Sequence, residues 1–153
     1  MENSDRALKI MTVICCGAIL YKDGQILLGL RSSGRKSFPS VWDLPGGRRE
    51  QVETLEQTII RELQEELSIT PITAQYICKL DISSEPDDLE CHIFLVNEWN
   101  GTPSNLAPLE HELIQWLLWR RLVRWNLLAL NIRMFFEELQ RKRLLNSLFE
   151  ANI

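Results

Sequence analysis

The chain's 153 residues suit one domain with a proper core, and an apolar fraction of 45% with 25% charged residues is ordinary for a globular protein. A net charge of −4 at pH 7 provides no general basic field, which argues against a nucleic acid polymer as partner. It leaves a single nucleotide open, because metal ions and a few arginines neutralise phosphates locally.

Two aliphatic runs, IMTVICCGAILY and QILLGLRS, flank KDG and predict a β-hairpin. In SFPSVWDLPGG a short extended piece is expected at Val41–Leu44, and the Pro-Gly-Gly that follows should end regular structure. Thr54 with Gln57 three residues later matches a capping box, so a helix is expected from Leu55 to about Leu67. ITAQYICKLDI and LECHIFLVNEW read as strands separated by the polar turn SSEPDD. NGTPSNLAPLEHE reads as a loop and LIQWLLW as a last strand. From Arg121 the spacing turns helical, with one helix from Asn126 to Leu139 and QRKRLLNSLFEANI as its continuation or a second helix. This order suggests an α/β (α+β) layered domain. There is no repeat or linker, so residues 1–153 are expected to form a single domain. The N-terminal apolar run follows acids rather than a basic region, and no segment is apolar enough to span a bilayer. A cytoplasmic protein without membrane contact is therefore expected. Cys15, Cys16, Cys78 and Cys91 lack metal-site spacing and are expected to be plain buried or strand residues.

The helix carries the chemistry. Leu55, Ile59, Ile60, Leu63 and Leu67 form one apolar arc at 3.6-residue spacing. Glu62 and Glu66 fall at the edge of that arc, with Glu65 just beyond it. Charge on a helix usually marks a solvated face, which would lie opposite the arc. Glu62 and Glu66 border the core instead and form a like-charge i,i+4 pair, which is destabilising. A hard divalent cation would relieve it, since Mg²⁺ prefers carboxylate and water oxygens beside substrate phosphates. Gly46 and Gly47 just ahead of the helix allow close approach of backbone to a ligand. Arg61 is placed to pair with Glu53 or to hold Glu62.

Gly47, five residues, Glu53, seven residues, then Arg61-Glu62-Leu63-Gln64-Glu65-Glu66-Leu67-Ser68-Ile69 resembles the signature of the Nudix hydrolases. The flanking VWDLPGG and GQILLGLRS also look like the family, and the resemblance runs from about residue 12 to about residue 139. It implies an α/β/α sandwich, a mixed sheet between helices with the motif as loop–helix–loop, and a helical extension at about residues 140–153. It further implies hydrolysis of a nucleoside diphosphate linked to another group, with Mg²⁺ or Mn²⁺. Gly46, Glu62, Glu65 and Glu66 are the implied metal ligands, Glu62 being alternatively the general base, with Arg61 and Glu53 orienting it. Glu110 in PLEHELIQW matches the further carboxylate of the family, with Glu112 in reserve. Val52 and Ser68 stand where the family usually has glycine, and Ser68 must then take up the left-handed helix end.

The motif does not choose the substrate. Arg31 and Asn131 occupy places like those that contact the nucleotide in the MutT-like branch, which removes oxidised purine nucleoside triphosphates. A nucleoside triphosphate is therefore the first expectation, with Arg31, Asn131 and Gly47 as substrate-binding residues. ADP-ribose or a nucleotide sugar comes next, and a non-catalytic binding module is the rival of another class. The C-terminal tail suggests a homodimer as a further partner. Trp42, Trp99, Trp116, Trp119 and Trp125 are read as core or interface residues first and as a base-stacking platform second.

Overall fold

The computed structural model describes residues 11–122, 124 and 128–150. The acidic N-terminus, Trp125 and the expected helix start at Asn126 lie outside the described residues.

Strand β1 (Thr12–Lys22) turns through Asp23-Gly24 into β2 (Gln25–Arg31). Both turn residues have positive φ, 52° and 75°, as a two-residue hairpin of right-handed twist requires. Only the top of the hairpin is paired, with Tyr21 opposite Ile26 and Lys22 opposite Gln25. Below it the two strands part. β1 continues parallel to β7 (Asp88–Val96), and β7 pairs antiparallel with β6 (Gln75–Ile82). β2 pairs antiparallel with β9 (His111–Leu118) on one edge and with β3 (Trp42–Asp43) on the other. The expected end of regular structure at Pro-Gly-Gly is corrected. Gly46–Arg48 forms β4, pairing antiparallel with Cys15–Gly17 where β2 has left β1.

Helix α1 (Leu55–Leu67) starts at the expected capping box, with Gln57 N donating to Thr54 Oγ1 and Thr54 N to Gln57 Oε1. Such a cap contributes about 1 kcal/mol. Ile59, Leu63 and Leu67 are buried with Ala18, Leu20, Leu27 and Phe94 on one face of the sheet. The other face is covered by α2 (Trp119–Leu122), α3 (Leu130–Arg141) and α4 (Leu145–Glu150). The result is the expected mixed sheet between helical layers.

Several boundaries differ from expectation. LECHIFLVNEW divides into β7 and a short β8 (Trp99–Asn100), which pairs with β5 (Thr70–Pro71). β9 begins at His111, inside the expected loop, and Trp119 belongs to α2. Helix α3 starts at Leu130 because the preceding residues are held extended against β3. Ala129 N donates to Trp42 O at 2.7 Å, and Leu128 bridges Trp42. It ends at a left-handed Arg143, φ 56°, with Leu144 N returning to Leu139 O, so the tail forms a separate helix. Phe149 of that tail is fully buried against Tyr21, Trp119 and Phe136. Among the described residues no helix is long and apolar enough to cross a membrane.

Candidate active site

The parting of β1 and β2 opens a cleft of about 500 Å³. Its floor is β1, β4 and β7, and its walls are the segment after β2, the turn Ser84–Asp87 and the start of α3.

Gly46 and Gly47 set one side of α1 against this floor. Gly46 has φ 148°, and a Cβ there would lie 2.0 Å from Cys16 O, so only glycine fits. Its N–H donates to Glu66 Oε2 at 3.1 Å. A Cβ on Gly47 would lie 2.5 Å from the Glu62 carboxyl carbon, so that carboxylate rests directly on bare backbone.

Glu66 is 5% exposed. Burial, with further help from Glu62 and Glu110, pushes its pKa up to about 9, against the pull of the Gly46 N–H. Burial also raises Glu62, although Arg61 opposes it. Both groups hold their protons more tightly than an ordinary glutamate, and a nearby cation would favour releasing them.

Arg61 is the hub of the second layer. Its Nε donates to Glu53 Oε1, Nη1 to Glu62 Oε1 (2.9 Å) and Glu65 Oε2 (3.2 Å), and Nη2 to Glu53 Oε2 (3.0 Å) and Arg48 O (2.9 Å). The sequence offered Glu53 or Glu62 as its partner, and it holds both. Its guanidinium, with Glu50 N and the Thr58 hydroxyl, pulls Glu53 down to about 2. Glu65 is 59% exposed and leans on Arg61, outside the cluster formed by Glu66.

That cluster consists of Glu66, Glu110 and His111, whose ligand atoms lie within 4.8 Å of one another. Of the two acids offered by the sequence after β8, Glu110 lines the cleft. Glu112 instead accepts from Ser33 N at 3.0 Å, tying β9 to the segment after β2. His111 follows Glu110 directly and has no ligand spacing of its own in the sequence. Its place became legible only with β9, which lays its ring over Gly29. Burial lowers its pKa and keeps the imidazole neutral. Two carboxylates and a neutral imidazole are a donor set suited to a divalent cation.

Arg31 and Asn131 both line the cleft. Arg31 is heavily engaged: Nε donates to Phe38 O, Nη2 to Ser37 O and Nη1 to Asp43 Oδ2. It thereby fixes the loop that carries Phe38, a half-exposed aromatic in the cleft wall. Asn131 sits in the first turn of α3, with Oδ1 accepting from Ile132 N. Arg35 and Arg48 add cations that sequence reasoning did not single out. Cys15 and Cys91, paired across β1 and β7 with sulfurs 2.8 Å apart, also line the cleft. None of Trp42, Trp99, Trp116 and Trp119 does. Trp99 and Trp116 stack on each other, and Trp119 stacks on Phe149.

A glycine-backed helix presenting carboxylates to the split of a mixed sheet defines a class, and the comparisons agree with it. The chain belongs to the NUDIX domain family, whose model matches residues 11–137, and it is a hydrolase of that family. It is similar to the CTP pyrophosphohydrolase of Escherichia coli, 29% identical over 109 residues, covering 71% of this chain and 76% of that protein. It is similar to the 8-oxo-dGTP diphosphatase of Haemophilus influenzae, 33% identical over 90 residues, 59% of this chain and 65% of that protein. The crystal structure of a MutT NUDIX hydrolase from Burkholderia pseudomallei superposes with a TM-score of 0.67 at 30% identity, covering 71% of this chain and 84% of that one.

Proposed function

We propose that the chain hydrolyses a nucleoside triphosphate to a nucleoside monophosphate and pyrophosphate with a divalent cation, Mg²⁺ or Mn²⁺. The observation that carries this reading is the buried Glu66 carboxyl, which shares a cluster with Glu110 beneath a cleft bordered by Arg31, Arg35 and Arg48. The relatives named for CTP and 8-oxo-dGTP hydrolysis support the substrate class. Residues 1–153 are read as one catalytic domain.

Glu66, Glu110 and the Gly46 carbonyl would hold the cation, with Glu65 as a further ligand. When bound, it neutralises diphosphate oxygens and acidifies water. Glu62, raised by burial and seated on Gly47, takes the proton of the attacking water. Arg61 fixes the direction of the Glu62 carboxylate and is itself fixed by Glu53. The cleft arginines balance phosphate charge, and Asn131 offers its amide to the base edge. Catalysis here is positioning and charge stabilisation, so no Ser or Cys nucleophile is required.

The test is product analysis by mass spectrometry on ordinary and 8-oxo nucleoside triphosphates, ADP-ribose and nucleotide sugars, for wild type and Glu66→Gln with Mg²⁺. A nucleoside monophosphate from a triphosphate, absent with the variant, is expected. Binding of a nucleotide without turnover in Mg²⁺ or Mn²⁺ would establish a non-catalytic module instead.

A further inference from the structure

His111 is the group in the cluster to which the reaction above gives no task. We infer that its imidazole is a ligand of the cation held by Glu66 and Glu110, so that this position is a mixed nitrogen–oxygen site binding Mn²⁺ in preference to Mg²⁺. The inference rests on the metal-dependent reading of the same site.

Three observations carry it. First, His111 is 6% exposed, yet its ring nitrogens bond to no described residue. The residue lines the cleft, so these nitrogens are open to a ligand there. The chain's other histidine shows the contrast: His92 Nε2 meets Glu90 Oε1 at 2.7 Å and Nδ1 meets the Tyr76 hydroxyl at 3.0 Å.

Second, the ring is aimed and held. It lies over Gly29, where even a Cβ would approach His111 Cδ2 to 2.5 Å. Its backbone is pinned on both sides, His111 N donating to Ala107 O at 2.9 Å and Asn105 Nδ2 donating to His111 O at 2.8 Å.

Third, the ligand atoms of Glu66, Glu110 and His111 lie within 4.8 Å of one another. Ligands of one octahedral ion with bonds of about 2.1 Å stand roughly 3 Å apart when adjacent and roughly 4.2 Å apart when opposite. Closing on an ion therefore takes only small side-chain movements. Imidazole favours transition metals more than Mg²⁺, which is satisfied by oxygen alone.

The test titrates Mn²⁺ into the full chain and records electron spin echo envelope modulation of the bound ion. Nitrogen-14 coupling of a coordinated imidazole is expected, replaced by nitrogen-15 coupling when the protein is made with ¹⁵N-histidine. Both His92 nitrogens are already engaged, so this signal belongs to His111 and needs no variant. His111→Gln should remove the coupling and weaken Mn²⁺ about tenfold or more, with Mg²⁺ affinity changing less than about threefold. Bound Mn²⁺ without nitrogen coupling overturns the inference and leaves the carboxylate site standing. Failure of Mn²⁺ to bind at all overturns the inference together with the metal-dependent reading.

Discussion

Replacing Glu66 by glutamine should stabilise the metal-free protein while abolishing its activity. In the folded chain burial holds the Glu66 proton up to about 9, whereas an unfolded glutamate releases it near 4.5. Between these values the unfolded state binds fewer protons than the folded state. Stability from this group is therefore complete below pH 4.5 and is lost as pH rises towards 9. The slope is about 1.4 kcal/mol per pH unit, so three units of exposure by pH 7.5 cost about 4 kcal/mol. Glutamine has no proton to lose, keeps the shape, and still accepts from Gly46 N–H. Denaturant titrations in chelator should show the two proteins equally stable near pH 4.5 and the variant ahead by about 4 kcal/mol at pH 7.5. For a chain of this size that is a melting difference on the order of 10 °C. Every other titrating group is shared, so the difference isolates Glu66 and its coupling to Glu62 and Glu110. Added Mg²⁺ or Mn²⁺ should raise the wild-type melting temperature and leave the variant unmoved. A stability difference that does not grow with pH would refute the reasoning.

Gly47→Ala places a methyl where the Glu62 carboxylate lies, 2.5 Å away, at the end of a side chain, whereas a Cβ at Gly46 meets Cys16 backbone. Turnover should fall about a hundredfold with a normal melting temperature, because a displacement near 1 Å costs about that much in rate. Arg61→Lys leaves a point charge where a fork bonded Glu53, Glu62, Glu65 and Arg48 O. An ammonium cannot reach them all, so kcat should fall by about a hundredfold while nucleotide affinity, measured by calorimetry, changes little. Ser68→Gly relieves the left-handed C-cap at φ 59°, ψ 35°. It should add about 1 kcal/mol, a melting increase of about 2–4 °C, at unchanged kcat.

Local signals were legible in the sequence where the physics is local. The capping box set the start of α1, the like-charge edge of its apolar arc marked Glu62 and Glu66, and Asp23-Gly24 placed the hairpin turn. Ser68 adopts the left-handed conformation expected of the missing glycine. What escaped depends on pairing between distant segments. β4 exists because β1 keeps an open edge at Cys15–Gly17 once β2 turns to β9, and no property of Pro-Gly-Gly alone announces that. His111 joins Glu66 because β9 lies beside Gly29, and α3 begins late because Trp42 O claims Ala129 N. Arg35, Arg48, Cys15 and Cys91 have no pattern in the chain, and only the cleft unites them.

The two glycines connect the stability of this fold to its chemistry. β4 approaches β1 so closely that Gly46 admits no side chain, and that approach brings its N–H to Glu66 and bare backbone to Glu62. A bulkier β4 would push α1 outward and let both carboxylates reach water, where they would ionise at an ordinary pH and hold a cation weakly. Close packing instead raises both groups and sets Glu66 beside Glu110, so the apoprotein carries an electrostatic cost that a cation offsets. Substitutions that relieve this cost without a cation should stabilise the chain and silence it together. Substitutions in the C-terminal layer, such as at Phe149, should lower stability without changing the pH dependence that Glu66 imposes.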